Sequence, residues 1–459
     1  MDIKARIEAS PMTKAQVGIV AICLALNFID GYDVLVMAFS ATAITEAWGL
    51  SGSDLGILLS SALAGMTIGA IFVAQIADKI GRRKTIILST SLITLGMFAS
   101  ALAPNYEVLL VLRILTGIAV GTMQTSLNVM VAEYANARRR ATAVSIYAAG
   151  QPIGGVLGGI IVAALLTYFE WHAGFIFGGV ITLAMLPIVL KWLPESIDYL
   201  NATRPANALA EINKVLVRLE QPELDALPGA PVASGRPKNN LVAVFANGQA
   251  KKTVLLAFAF MMIMGSFYFA NSWTPRLLTE SGYSANQGIT AGVLFSVGAI
   301  IGAMVFAWAG ARFPLKRTLA VFFVLAAVSF AVFALLADTL NPALMGAVLL
   351  GMLTNASIAG MFTIGPVYYD AAVRATAVGL IGGIGRCGGI ISPILAGALV
   401  DAGWIPGNIY FVFVLPLVLG AVALLVLRKP ASLVAPAAAT QSEVTQPEAA
   451  QSEALVESR

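Results

Sequence analysis

Long apolar stretches alternate with short polar or charged connections along most of the chain. Six stretches fall near residues 17–39, 54–77, 85–103, 106–131, 141–167 and 172–193, and six more near 253–275, 287–310, 317–338, 342–367, 375–400 and 406–427. Most come close to the roughly 20 residues that an α-helix needs to cross the hydrocarbon core of a bilayer. The pattern predicts an all-α integral membrane protein with twelve transmembrane helices in two six-helix bundles. The predicted regions are the bundles 1–193 and 253–428, a central loop 194–252 and a disordered tail 429–459.

Composition excludes several functional classes. Of the 459 residues, 58% are hydrophobic and only 11% are charged, whereas soluble domains carry about 25% charged residues. The chain has one histidine, His172, and two cysteines, Cys23 and Cys387, both within apolar stretches. There is no Gly-rich phosphate-binding motif of the GxxxxGK[ST] type. We therefore expect no bound metal, no resident cofactor, no direct ATP-driven pumping and no enzymatic activity.

The basic residues indicate an orientation. Nearly all of the 28 Lys and Arg residues fall in the terminal segments, the central loop or the even-numbered connections between spans. Loops of membrane proteins that are rich in Lys and Arg face the cytoplasm. The sequence therefore predicts a multi-pass protein of the cytoplasmic (inner) membrane with both termini inside, and this distribution explains the net charge of +4 without a nucleic-acid partner.

The two halves share a repeat. The segment Arg140-Ala-Thr-Ala-Val144 recurs 234 positions later as Arg374-Ala-Thr-Ala-Val378, and the Gly pair 154–155 recurs as 388–389. Two bundles related by such a repeat place the substrate site between them, near the middle of the membrane. The bundles are therefore predicted to be pseudo-symmetric.

Two aspartates in the first span are the strongest chemical signal. Asp30 and Asp33 are three residues apart, a spacing that puts them on one helix face. A charged side chain at the centre of a span costs at least about 2.5 kcal/mol, and apolar surroundings favour a neutral carboxyl group. We interpret the pair as the proton-coupling site. The alternative is a structural pair tied to another helix or to an arginine.

Two arginines also lie within spans. Arg386 stands in a Gly-rich eleventh span, and its planar guanidinium suits a carboxylate, so we interpret it as the substrate anchor. The alternative is a permanent ion pair with Asp30 or Asp33. Arg113, in the fourth span, is either an ion-pair partner of the first span or a direct ligand contact. Gln124 and Asn128 lie along its helix face and are predicted to line the cavity.

Further candidates are less specific. Tyr268 and Asn271 belong to an aromatic cluster in the seventh span that fits either stacking on an aromatic substrate or an interfacial belt, and Asn355 in the tenth span is a further cavity candidate. Four charged residues are predicted to form cytoplasmic ion pairs that break as the bundles move: Asp78, Arg82, Glu133 and Arg140. In the central loop, apolar residues at helical spacing over 209–219 predict a short interfacial helix.

Several motifs resemble a known superfamily. The run Asp78-Lys79-Ile80-Gly81-Arg82-Arg83-Lys84 resembles the signature loop of the major facilitator superfamily, as does Pro194-Glu195-Ser196 after span six. Ala74 replaces the usual Gly, and the second-half copy has Ala311 in the Asp position. The string Asp30-Gly31-Tyr32-Asp33, together with Arg386, is similar to the aromatic acid:proton symporter family. This resemblance implies a major facilitator fold and transport roles for Asp30, Asp33, Arg113 and Arg386.

The resulting hypothesis is proton-coupled uptake of an aromatic carboxylate, such as benzoate, hydroxybenzoate or gentisate, by alternating access. The proton gradient would supply the energy, and the chain would act as a monomer in the bilayer. One alternative is a proton-driven exporter of drugs or metabolites. Another is a membrane sensor that binds an aromatic acid without moving it. The sequence leaves open which acid is carried and how many protons accompany it.

Overall fold

The structure, a computed structural model, describes residues 3–227, 244–246, 249–337, 339–369 and 371–427. Within these ranges, twelve helical segments are long and apolar enough to cross a membrane. The helices of the first half are α1 (Ile3–Ala9), α2 (Lys14–Trp48), α3 (Gly52–Ile68), α4 (Ala77–Ile80), α5 (Arg82–Ala101), α6 (Tyr106–Tyr134), α7 (Arg140–Tyr168) and α8 (His172–Trp192). The predicted tail 429–459 and two parts of the predicted central loop 194–252, residues 228–243 and 247–248, lie outside the described residues.

Two helices, α9 (Ile197–Thr203) and α10 (Ala208–Arg218), follow the first six spans. The helices of the second half are α11 (Ala250–Glu280), α12 (Ala285–Arg312), α13 (Leu315–Leu336), α14 (Leu340–Tyr368), α15 (Ala371–Asp401), α16 (Pro406–Val412) and α17 (Val414–Val426). The helix predicted in the central loop is present as α10, which buries Ile212 and Leu216. Helices α1 and α9 are too short for their periodicity to reveal them in the sequence.

Span one is longer than its apolar stretch suggests. It was predicted to end near residue 39, but α2 continues through a more polar segment to Trp48 and stops at Gly49, which has a left-handed backbone. Thr13 and Gln16 form a capping box at its start, each side chain accepting a hydrogen bond from the other residue's backbone. Local capping chemistry, rather than the hydrophobic run, therefore sets both ends of this helix.

Span two is interrupted near its end. A π-helical turn, Gly69–Val73, and a 3₁₀ turn, Ala74–Ile76, separate α3 from α4. At Gly81, between α4 and α5, φ is 100°, a conformation that favours glycine. The glycine of the signature loop is thus required by the sharp turn between spans two and three.

The molecule has two distinguishable ends. We call the end that carries residues 78–84, 136–140 and 194–199 the basic face, and the end that carries residues 49–54 and 401–405 the far face. The two bundles contact each other through α3 and α15, α7 and α12, and α2 and α11. At the far face Asp401 accepts hydrogen bonds from the backbone of Gly52 and Ser53, and closer to the centre Ser60 donates to the Ile390 carbonyl at 2.7 Å.

Toward the basic face the same two helices separate. A Cβ added to Gly379, Gly382 or Gly383 of α15 would meet no atom within 4 Å. By contrast, a Cβ at Gly52 or Gly56 of α3 would collide with the backbone of α15. The space between the bundles is therefore closed at the far face and opens toward the basic face.

Candidate functional site

Helices α2 and α7 touch backbone to backbone beside the two aspartates. A Cβ at Gly31 would collide with the Gln151 carbonyl, and one at Gly154 would collide with the Phe28 carbonyl. Small residues allow such close approaches between membrane helices. Gly31 therefore serves helix packing and fixes the position of Asp30 and Asp33 on either side of it.

Asp33 forms a buried ion pair with Arg113. The Nη1 atom of Arg113 donates to Asp33 Oδ1 at 2.9 Å, and the two side chains are 0% and 1% exposed. Arg113 also donates to Ser100 Oγ at 3.0 Å and lies 5.1 Å from the centre of the Phe175 ring. Of the two interpretations of Arg113, this geometry matches the ion pair with the first span. The guanidinium is shielded from any ligand in this conformation.

Asp30 has a different environment from Asp33. Its side chain is 2% exposed, and its Oδ2 atom accepts a hydrogen bond from Gln124 Nε2 at 2.9 Å. Its Oδ1 atom is buried and has no hydrogen-bond partner among the described residues. The predicted pair is thus divided into one aspartate neutralised by an arginine and one held by an amide.

Arg386 lies on the opposite bundle from Asp30. It is partly exposed and interacts electrostatically with Asp30 and Tyr268. Among the described residues, its guanidinium has no hydrogen bond or salt bridge. It stands one helical turn from Ile390, where α3 and α15 meet, and beside the glycines of α15 that face open space. The guanidinium is therefore available to an anion that enters from the basic face.

Aromatic and amide side chains of α11 stand close to Arg386. The Tyr268 ring packs on Gly389, and its edge-on partner Phe267 lies 5.3 Å away between ring centres. Asn271, one turn further along α11, is 8% exposed. Neither Tyr268 nor Asn271 has a side-chain hydrogen bond within the described part of the chain, so both retain polar groups for a ligand.

Two predicted cavity residues are placed differently. Asn355 donates to the Ala299 carbonyl at 2.6 Å, which ties α14 to α12 and commits its amide nitrogen to helix packing. Asn128 is exposed one turn from Gln124, on the side of the basic face. Asn128 therefore lies one turn nearer to the basic face than Gln124, the residue that holds Asp30.

The four predicted gating residues are not joined in a single network. Asp78 and Arg82 form a surface pair at 2.9 Å, whereas Arg140 pairs with Glu8 of α1 at 2.7 Å. Glu133 accepts from Ser196 Oγ at 2.7 Å and from the backbone N–H of Asp198 at 2.9 Å. Each of these contacts is made within residues 3–227, so in this conformation the four residues tie the first bundle to its own short helices.

Sequence reasoning assigned no role to three residues that the structure places at key positions. Glu195 accepts backbone hydrogen bonds from Arg82, Arg83 and Ser196 at 2.8–3.0 Å and thereby caps α5. Asn27 is 3% exposed one turn before Asp30, and Asp401 joins the bundles at the far face. An amide three residues before an intramembrane aspartate was a usable signal for Asn27, whereas Asp401 lies at a span end, where acidic residues are common.

Two pseudo-symmetric six-helix bundles around a buried charged centre define a membrane transporter rather than an enzyme. A model of the Major Facilitator Superfamily matches residues 20–372 and 255–456, and the chain belongs to this superfamily. This match confirms the predicted superfamily resemblance and, together with the twelve membrane helices, the predicted major facilitator fold.

Two relatives in sequence and one solved structure show which proteins of the superfamily this chain is similar to. The 4-hydroxybenzoate transporter PcaK of Acinetobacter baylyi is 32% identical over 93% of this chain and 94% of its own length. A gallate transporter of Pseudomonas putida is 30% identical over 88% of this chain and 90% of its own length. The solved structure of a D-xylose-proton symporter superposes with a TM-score of 0.71 at 16% identity, covering 90% of this chain and 98% of that one. This last likeness concerns the fold alone.

Proposed function

We propose that this protein is a symporter that takes up an aromatic carboxylate together with a proton. The observation that carries the proposal is the arrangement of Asp30 and Arg386, which lie on opposite bundles and interact electrostatically, while Asp33 and Arg113 neutralise one another. Relatives over nearly the whole chain are named as transporters of 4-hydroxybenzoate and gallate, which supports an aromatic acid as substrate.

Charge balance explains how anion and proton would be coupled. The Asp33–Arg113 pair is internally neutral, so when Asp30 is ionised and no substrate is bound, its negative charge is balanced by the positive charge of Arg386. A substrate carboxylate bound to Arg386 adds a negative charge in a region of low dielectric, where uncompensated charge is costly. Protonation of Asp30 restores neutrality. Each ligand therefore favours binding of the other, and this mutual effect is equal in both directions.

The neighbouring side chains suit an aromatic substrate. Tyr268 interacts electrostatically with Arg386, and Phe267 packs edge-on against the Tyr268 ring. Aromatic pairs favour such offset or edge-to-face contacts. Asn271 and the Tyr268 hydroxyl provide polar groups for ring substituents. The carboxylate would bind Arg386 while the ring packs against α11.

We further propose that the basic face is cytoplasmic, with both termini inside the inner membrane, because Lys and Arg concentrate there. The conformation described here then opens inward. The chain is proposed to work as a monomer, with the proton gradient as its energy source and no resident cofactor.

The test is uptake of labelled 4-hydroxybenzoate into proteoliposomes with an imposed pH gradient, acidic outside. Wild-type protein should accumulate the label, and a protonophore should abolish accumulation. Arg386→Lys should weaken uptake, because an ammonium cannot reproduce a two-pronged contact with a carboxylate. Asp30→Asn should retain exchange of internal for external substrate but lose accumulation driven by the gradient.

The same assay separates the rival functions. An exporter would deplete label from vesicles when the gradient favours proton entry. A sensor would bind the label without flux. Accumulation that is undiminished after the gradient is collapsed, with no membrane potential present, would contradict the proposal.

A further inference from the structure

A chain of hydrogen bonds surrounds Asp30 and links three helices. Asn27 Nδ2 donates to the Tyr147 carbonyl at 2.6 Å, and the Tyr147 hydroxyl donates to the Gln124 carbonyl at 3.3 Å. Gln124 Nε2 then donates to Asp30 Oδ2 at 2.9 Å. The chain thus starts at Asn27 and returns to Asp30, three residues later on the same helix, after passing through α7 and α6.

This chain of hydrogen bonds lacks one donor. Asn27 Oδ1 and Asp30 Oδ1 are both buried acceptors without a hydrogen-bond partner in the described residues. Side chains three residues apart on a helix are neighbours. Buried polar atoms are nearly always hydrogen-bonded, and leaving one unpaired costs about 1–3 kcal/mol. A hydrogen atom bound to one of these two oxygens and donated to the other would satisfy both acceptors.

We propose that Asn27 is a positioning residue for the transported proton: when Asp30 is protonated on Oδ1, the new O–H donates to Asn27 Oδ1. The proton comes from water and returns to water on the other side, so no other bond forms or breaks. The Nδ2 contact with Tyr147 fixes the amide so that its oxygen, not its nitrogen, is presented. Asn27 thereby stabilises the proton-loaded form of the carrier. This inference rests on the proposed role of Asp30 in symport.

Other charged and titratable groups around Asp30 do not replace this contact. Asp33 is engaged by Arg113, Tyr147 donates its hydroxyl hydrogen to the Gln124 carbonyl, and Arg386 carries no acceptor atom. The groups that act on Asp30 or on its partners from the packed elements are Cys23, Asp33, Tyr147, Tyr268 and Arg386. Among these neighbours in the described part of the chain, Asn27 has a buried side-chain oxygen that accepts no hydrogen bond.

Two substitutions at this position have opposite expected effects. Asn27→Leu removes the acceptor, so the pH at which proton-driven uptake is half-maximal should fall by about one unit, a tenfold loss of proton affinity. Asn27→Asp keeps an acceptor oxygen and adds a second carboxylate that can share the proton, so the half-maximal pH should rise. A residue needed only for packing would lower uptake in both variants without moving the pH profile.

The experiment measures uptake of labelled 4-hydroxybenzoate against external pH in proteoliposomes, for variants that elute as folded protein. The matched control is Gln16→Leu, which removes another buried amide of α2 that donates to a carbonyl, that of Tyr134 at 2.9 Å, and which stands fourteen positions before Asp30 on the same helix. It should leave the profile in place. If Asp30→Asn abolishes pH dependence but both Asn27 variants keep the wild-type profile, this inference is overturned. If Asp30→Asn itself keeps proton-driven accumulation, the proposed function fails instead.

Discussion

Arg113 and Asp33 form an ion pair that is closed off from solvent, with 2.9 Å between Nη1 and Oδ1 and exposures of 0% and 1%. The residues are 80 positions apart in sequence, and the pair joins the fourth span to the first. A buried pair depends on both members, because removal of one leaves an uncompensated charge.

Arg113→Leu should therefore destabilise the protein by about 3–5 kcal/mol, whereas the double variant Asp33→Leu/Arg113→Leu should recover much of that loss. The measurement is thermal unfolding of the purified proteins in detergent, and the Tm of the double variant should lie between those of the wild type and of Arg113→Leu. Arg276→Leu is the control, because its 2.9 Å pair with Glu280 is partly exposed and such pairs contribute about 0–1 kcal/mol. A double variant less stable than either single variant would contradict the interpretation.

The Asp401 carboxylate should act as a latch that holds the far face closed. It accepts hydrogen bonds from Gly52 N at 2.6 Å and Ser53 N at 2.8 Å, across the two bundles. Removing hydrogen bonds to a charged acceptor costs about 1.5–3 kcal/mol. Asp401→Ala should thus raise the population open at the far face by about tenfold or more.

The measurement is labelling of a cysteine placed at Ser60, which lies behind the latch, by an impermeant maleimide in a background without Cys23 and Cys387. Asp54→Ala is the matched control, because Asp54 caps its own helix through Ser51 and does not cross between bundles. Equal labelling rates in the Asp401 and Asp54 variants would show that Asp401 is not a latch.

Gly31→Ala should reduce the yield of folded protein, because the added methyl group would collide with the Gln151 carbonyl. Overpacking of this kind costs about 1–3 kcal/mol. Gly18→Ala, on the same helix, adds a methyl group that meets nothing within 4 Å, and it should keep the wild-type yield and Tm. Size-exclusion profiles compare the two, and a Gly31→Ala protein as stable as Gly18→Ala would rule out the close contact between α2 and α7.

Glu195→Ala should lower stability by about 0.5–2 kcal/mol, since its carboxylate caps the first turn of α5. Glu195→Gln keeps one acceptor oxygen, so its loss of stability should be smaller. Glu223, which is exposed, provides the control variant Glu223→Ala. Equal decreases in Tm for Glu195→Ala and Glu223→Ala would contradict the interpretation of Glu195 as the cap of α5.

Prediction from sequence was strongest for the spans and weakest for the partners of the charges. The twelve spans follow from apolar length, which the bilayer thickness fixes and which can be read along the chain. The buried carboxylates and arginines could also be found in this way, because a charge within an apolar run is conspicuous. Which acid meets which arginine could not, since Arg113 was compatible with either an ion pair or a ligand contact.

The sequence by itself determined the number of spans, their division into two related halves and the depth of Asp30, Asp33, Arg113 and Arg386. The tertiary structure alone decided that Arg113 neutralises Asp33 and that Asp30 and Arg386 interact electrostatically across the bundles. It also placed Asn27, buried, one turn before Asp30, and Asp401 in a contact between the bundles. Hydropathy is averaged over consecutive residues, so it shows where a span lies and how deep in the membrane each of its residues is. Pairing depends on how each helix is rotated and where it crosses its neighbours, and close contacts such as that of Gly31 with Gln151 set both.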